Sequence, residues 1–292
     1  MDRPTELCLG TVQLGMPYGV TNRGGKIPEN EVKNILELAA KLKIRMLDTA
    51  QSYGTAELMI GKYWPKKSTC QIISKLQAKG CQEAWEKDLQ KSLQNLKTKK
   101  LDAFLLHHAS ELLSPGGDKL MKWLEEIQKR GTVARIGVSI YEAEDIEKLP
   151  LERIQLVQLP LSIYDQRLIN DGTIKKLNEM GIAVHARSVL LQGLIMESHD
   201  KWPNYLSRSF REHHMKWTEY NNIQGMSPLE SALGSLKGIK GIEAVLVGVQ
   251  SCKELTEVVE AWGKAKQQET ERLGKWAWQH KVDLDPRGWA KS

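Results

Sequence analysis

Long hydrophobic runs are missing from this chain: no stretch approaches the ~18 consecutive apolar residues that a membrane-spanning helix requires. Met1-Asp2-Arg3-Pro4 also lacks the apolar region of a secretory signal. Cysteine is scarce. Its four copies, Cys8, Cys70, Cys81 and Cys252, have neither CxxC nor His-rich spacing, which argues against a zinc site and against a disulfide framework. The expectation is a reduced, cytoplasmic protein with no metal and no membrane partner. Dense basic tracts are absent too. A net charge of +6 at pH 7 would suit an anionic ligand such as a dinucleotide, or a nucleic acid. The basic residues, however, are spread singly and in pairs, and the densest cluster, Lys97-Thr98-Lys99-Lys100, reads as a solvated turn. No nucleic-acid partner is expected. Linker-like and low-complexity stretches are lacking as well, so the 292 residues are read as one domain spanning 1–292, a length that α/β barrels routinely use.

What the chain does contain is an alternation of short apolar runs with longer amphipathic ones. Strands are expected at Leu7 to Thr11, Arg45 to Asp48, Gln71 to Lys75, Ala103 to His107, Ala134 to Ser139, Ile154 to Leu159, Ile182 to Arg187 and Ala244 to Val249. Each is followed by a segment of helical periodicity, for example Val32, Ile35, Leu36 and Ala39, or Trp85, Leu89, Leu93 and Leu96. Gly15 to Lys26 is turn-rich and compatible with a hairpin. Ser227-Pro228 reads as an N-cap with proline at the first helical position. The interval 191–226 is too long for a structureless loop and is expected to hold short helices over a functional face. A C-terminal extension, 264–292, follows the last periodic helix.

Eight strand-helix units imply parallel strands with helical crossovers, in a closed barrel or an open doubly wound sheet. The first strand is not followed by GxGxxG, which an open dinucleotide-binding sheet would carry. The strands, moreover, end on Thr11, Asp48, Lys75, His107, Ser139, Gln158, Arg187 and Gln250. In a (β/α)8 TIM barrel these edges form one ring at the C-terminal ends of the strands, where active sites lie. Tyr53, one short loop beyond Asp48, adds a phenol. Lys75 beside it would lower the pKa of that phenol, Asp48 would keep the lysine charged, and His107 would polarise a carbonyl oxygen. No nucleophile accompanies them. Such a set suits protonation of an oxygen on which charge develops.

The motifs Gly10-Thr11, Asp48-Thr49-Ala50 with Tyr53-Gly54 and Glu57, Ser74-Lys75, Leu106-His107, Gly137-Val138-Ser139, Val157-Gln158, Gln192-Gly193 and Gly248 run in one order from about residue 7 to 262. In this the chain resembles the aldo-keto reductases. The segments 159–167 and 186–194 resemble a bacterial branch linked to carbohydrate or secondary metabolism. The resemblance implies a catalytic tetrad of Asp48, Tyr53, Lys75 and His107, with Tyr53 as the general acid. It implies NADPH or NADH as cofactor, NADPH being slightly favoured on family prevalence. Ser139 and Gln158 match positions holding the nicotinamide carboxamide, Arg187 one that stacks on the ring, and Ser188 to Gly193, including Leu190 and Gln192, the pyrophosphate loop. Gly10 and Thr11 belong to the same implied binding set. Gly248, Gln250, Ser251 and Glu254 match the adenine end. Tyr18 and Trp85 are candidates for the substrate pocket.

Three departures stand out. Ile140 occupies a position where many relatives have asparagine, Arg187 replaces a common tyrosine, and acidic Glu254 stands where a base would hold a 2′-phosphate. The expected activity is reduction of an aldehyde or ketone, with a small carbonyl or sugar-like substrate. Two alternatives share the residues: a sugar alcohol dehydrogenase or an epimerase with retained cofactor, and a dinucleotide-binding redox sensor or assembly subunit with little turnover. His108, one residue beyond His107, is turned by strand alternation to the opposite face and reads as packing, and His213-His214 reads as exposed or substrate-facing.

Overall fold

The structure, a computed structural model, describes residues 4–265 and 273–289. Residues Met1–Arg3 of the N-terminal reading, and 266–272 and 290–292 of the expected extension, lie outside the described residues.

Eight strands form a closed parallel barrel in sequence order: β1 (Glu6–Gly10), β2 (Met46–Asp48), β3 (Gln71–Leu76), β4 (Leu101–Leu106), β5 (Val133–Ser139), β6 (Leu156–Pro160), β7 (Ala183–Arg187) and β8 (Ile242–Gly248). Closure is made by β1 against β8, with Cys8 opposite Leu246 and Gly10 opposite Gly248. The expectation of a (β/α)8 barrel is thus met.

Strand alternation decides what enters the barrel and what faces the helices. Cys8, Met46, Ile73, Ala103, Leu105, Leu156, Ala244 and Leu246 fill the interior. Their neighbours Leu7, Leu9, Leu47, Phe104, Leu106 and Val157 join the larger core beneath the helices. For six of the eight strands, parity then fixes the last inward residue at or just past the strand end, two positions on from its interior apolar neighbour: Gly10, Asp48, Lys75, His107, Gln158 and Gly248. Gly137 sits where only hydrogen fits, because a Cβ would lie 1.9 Å from the carbonyl oxygen of Leu156.

Near the start of β8, Glu243 accepts two hydrogen bonds from Arg135 at 2.7 and 3.0 Å and meets His185 Nε2 at 3.0 Å. Burial alone would raise the Glu243 pKa, but the His185 hydrogen bond and the Arg135 guanidinium outweigh it and hold the carboxyl at about 2. A depressed folded-state pKa stabilises the fold above the unfolded value of about 4.5, and that contribution disappears as pH falls toward 2. Thermal midpoints should therefore drop between about pH 4.5 and 2, and Glu243→Gln should flatten that acid limb; an unchanged acid limb would remove this cluster from the stability account.

Three expectations need correction. Gly15 to Lys26 contains no strand: Val12–Gly15 is a helical turn, followed by turns in which Asn22 Oδ1 accepts from the backbone of Gly24 and Gly25. The asparagine replaces cross-strand pairing with local bonds. The 191–226 interval holds, besides short 3-10 turns, a 16-residue helix, Arg208–Ile223, capped by the Ser207 hydroxyl. Its buried face is Phe210, His214, Trp217 and Asn221, a stripe at helical spacing but without the aliphatic residues that usually reveal one. Here His213-His214 is not exposed. His214 lies 2.7 Å from Tyr164 Oη, while His213 meets the carbonyl of Trp276. Trp202, Trp276, Trp278 and Trp289 belong to this second, aromatic core. Ser227 does cap the helix Pro228–Lys237, in a reciprocal capping box with Glu230.

Candidate active site

At the C-terminal rim, β2 and β3 bring Asp48 and Lys75 together out of water. Lys75 Nζ donates to Asp48 Oδ1 at 2.5 Å and to the Thr49 carbonyl at 3.1 Å, and both side chains are almost completely buried. Gln158 Nε2 reaches the other oxygen of Asp48 at 2.7 Å, so the carboxylate is held from two sides of the barrel. Its backbone is fixed as well: Thr11 donates to the Asp48 carbonyl through both its amide and its hydroxyl.

The Tyr53 hydroxyl is 3.4 Å from Lys75 Nζ. Its loop is placed by a close approach of backbone, since a Cβ on Gly15 would lie 1.8 Å from the Tyr53 carbonyl oxygen. The His107 ring stands edge-on to Tyr53 with centroids 5.9 Å apart. Ser52 Oγ is 3.2 Å from His107 Nδ1; an Nδ1 that accepts from Ser52 leaves the ring proton on Nε2.

Electrostatics assign protonation states to this set. Burial is the largest influence on Tyr53 and raises its pKa, with Lys75 opposing it. The expected lowering of that pKa by Lys75 is therefore not the net result: at neutral pH Tyr53 is a phenol, and the lysine reduces the cost of its losing a proton. Burial pulls the Lys75 pKa down, but Asp48 and Tyr53 together more than restore it, so the ammonium stays charged. Burial, with Lys75, His108 and Arg187 nearby, lowers the His107 pKa to about 3. That imidazole is neutral.

These groups open into a cleft of about 560 Å³, within the range of small-molecule and cofactor pockets. Thr11, Gln13, Tyr53, His107, Gln158 and Arg187 are among the side chains that line its reacting end and floor. Gly10, Ser139, Ser188, Leu190, Gln192 and Gly193 also line it, as do Gly248, Gln250 and Glu254. Ser251 lies just beyond as the N-cap of the helix Cys252–Lys264. Of the two substrate-pocket candidates, Tyr18 lines the cleft and Trp85 does not. It is buried on the helix Gln82–Leu96 with its ring 5.8 Å from that of Trp123, so it belongs to the packing between helices. His108 is also misplaced by the strand alternation, because β4 ends at Leu106: it is exposed and stacks on His107 at 5.1 Å.

Several features suit an extended dinucleotide. Among the described residues, Gln158 Oε1 and Gln13 Oε1 are buried without a partner, and both residues line the cleft. Gly193 has φ +96°, and a Cβ there would strike Thr21 Oγ1 at 2.1 Å; one on Gly248 would strike the Gln13 amide at 2.3 Å. Glycine at both positions lets Thr21 and Gln13, which themselves border the cleft, pack closely against the backbone. Arg187 donates to the carbonyl of Ile140 at 2.8 Å and lies 3.9 Å over the ring of Tyr141, whose other neighbour is the Arg287 guanidinium at 3.6 Å. Among the described residues, none of the Arg187 bonds goes to a carboxylate. Tyr141, Gln13, Ser52 and Glu257 escaped sequence reasoning. Only Tyr141 carried a signal, two positions beyond Ser139.

Among the described residues no helix is long and apolar enough to cross a membrane, and no group of three or more His, Cys, Asp or Glu could hold a metal. The four cysteines are free.

A closed parallel barrel with an ionisable cluster at its C-terminal rim defines a (β/α)8-barrel enzyme. The chain belongs to the aldo/keto reductase family, whose profile matches residues 6–276, and is an NAD(P)-dependent oxidoreductase. Among solved structures it is similar to an aldo-keto reductase of Bacillus halodurans in its holo form, with 19% identity, a TM-score of 0.74 and coverage of 96% of this chain and 95% of that one. It is also similar to an aldo-keto reductase of Klebsiella pneumoniae in complex with NADPH, with 17% identity, a TM-score of 0.70 and coverage of 98% and 99%. At such identities these likenesses bear on the fold. No curated protein matches the sequence.

Proposed function

We propose that the chain reduces an aldehyde or ketone of a small, carbonyl-bearing or sugar-like substrate, with Tyr53 as the general acid. The observation that carries this reading is the buried relay Gln158–Asp48–Lys75–Tyr53, whose links are 2.7, 2.5 and 3.4 Å and whose phenol end opens into the cleft. A bound reduced nicotinamide supplies the hydride. The residues of the chain then have three tasks. Gln158, with its unpartnered oxygen, and Ser139 hold the carboxamide. Neutral His107 donates a hydrogen bond to the substrate oxygen from Nε2. Tyr53 gives up its proton as charge develops on that oxygen, and Lys75, kept cationic by Asp48, stabilises the phenolate left behind.

Arg187 bears on which form of the cofactor binds and which is released, at some cost to hydride donation itself. A cation in the wall of the reacting end disfavours the positively charged oxidised nicotinamide relative to the neutral reduced one. The Asp48–Lys75 pair also counts against a sensor with little turnover, since a buried ion pair is costly to maintain and fold stability does not require one.

The test is to mix the protein with reduced cofactor and a panel of aldehydes and ketones, and to follow alcohol formation against cofactor oxidation across pH. One alcohol per cofactor oxidised is expected. Because His107 titrates at about 3, kcat/KM for a non-ionising substrate should show no inflection near pH 6.5, the ordinary histidine value. Cofactor that binds but is never oxidised by any carbonyl would contradict the proposal.

A further inference from the structure

The cleft is polarised along its length, and its far end is acidic. A dinucleotide whose reactive ring lies at Tyr53 and His107 must put its adenosine at the opposite end, which is lined by Val249, Gln250, Glu254, Glu257 and Val258. The charged members of that lining are two carboxylates. Lys253, beside them, is exposed and directs its ammonium toward Glu257 at 3.9 Å.

The first turn of the helix Cys252–Lys264 would ordinarily be the place for a phosphate, through its free amides and the helix dipole. In this chain two of those donors, and the amide of Gln250 just before the helix, are already occupied by the protein's own groups. The Cys252 amide donates to Glu31 Oε1 at 2.9 Å, across from the helix Glu29–Lys41. The Gln250 amide donates to Glu254 Oε2 at 2.8 Å, and the Glu254 amide to Ser251 Oγ at 3.1 Å. A phosphate dianion on the adenosine ribose would have to displace a carboxylate from the backbone and then sit beside two more. A ribose 2′-hydroxyl has the opposite need: it is a donor, and a carboxylate is its natural acceptor.

The geometry points to NADH, not NADPH, as the cofactor of this enzyme, with Glu254 and Glu257 as the discriminating residues and Glu31 holding the helix start closed to phosphate. This reverses the slight preference for NADPH that family prevalence gave, and it rests on the proposed use of the cleft by a dinucleotide. Both discriminating carboxylates are solvent-exposed, so the discrimination is moderate and shrinks with added salt.

Titration of the protein with NADH and with NADPH, followed by quenching of tryptophan fluorescence, tests this by binding alone. The expected result is a Kd for NADH lower than that for NADPH by about tenfold or more at low salt. In the pair Glu254→Gln and Glu257→Lys, the first of which retains an acceptor for the Gln250 amide, that ratio should collapse or invert. ADP-ribose against its 2′-phosphate should show the same preference, which locates the effect at the adenosine end. Equal affinities, or tighter NADPH binding, in the unmodified protein would overturn the inference and leave the reductase reading standing. Binding of neither dinucleotide would overturn both.

Discussion

Replacement of Tyr53 by phenylalanine is expected to reduce kcat by about 10²–10⁴ or more while the Kd for the cofactor changes little. The substitution removes one oxygen, whose hydrogen bond among the described residues is the 3.4 Å contact with Lys75. The ring remains, edge-on to His107, so the pocket shape is kept. The magnitude follows from the task. Without the phenol, water must protonate an oxygen in a partly buried cleft, and the positive field of Lys75 no longer has a phenolate to stabilise. Steady-state turnover on the best carbonyl of the panel, with cofactor affinity measured in parallel, separates the outcomes. A rate within a few-fold of the original would remove Tyr53 from proton transfer, and a comparable loss of cofactor binding would make its role structural.

Asp48→Asn should have the second-largest effect, on stability and activity together. Lys75 is 1% exposed, and removal of its counter-ion leaves a cation deep in the barrel. Breaking one side of a buried pair costs about 3–5 kcal/mol, which should be read directly in denaturant unfolding. Turnover should fall as well, because the lysine would lose its charge or its orientation toward Tyr53. The double variant Asp48→Asn with Lys75→Met distinguishes the two consequences. It should regain much of the stability, since no unpaired charge is left, and stay inactive. If the double variant were as unstable as the single one, Asp48 would be acting through Gln158 and the strand backbone and not through Lys75.

Much of this site was legible in the sequence because a barrel strand has a period of two. Once Cys8, Met46, Ile73 and Leu156 are placed inside, parity sends Gly10, Asp48, Lys75 and Gln158 to the rim with no further information. The errors arose where that period stops. His108 was assigned to the opposite face of a strand that had already ended at Leu106. Trp85 was offered to the substrate although its spacing with Leu89, Leu93 and Leu96 already placed it on a buried helix face, where Trp123 meets it. The helix Arg208–Ile223 was hidden because its buried stripe is built from Phe, His, Trp and Asn, residues that read as a functional loop. The Arg187–Tyr141–Arg287 stack could not be anticipated, since its members come from β7, the loop after β5 and the C-terminal segment. The closure of the helix start by Glu31 is equally non-local, a contact across 221 positions of sequence.

The most direct test of the central claim is the fate of deuterium placed at both positions of the transferring carbon of the reduced nicotinamide, followed by mass spectrometry of the product from a reacting aldehyde. The account predicts that one deuterium appears on the former carbonyl carbon, with the hydroxyl proton drawn from solvent through Tyr53, and that Tyr53→Phe suppresses the labelled alcohol. Alcohol free of deuterium with every carbonyl tried, or labelled alcohol formed at the same rate in Tyr53→Phe, would contradict it.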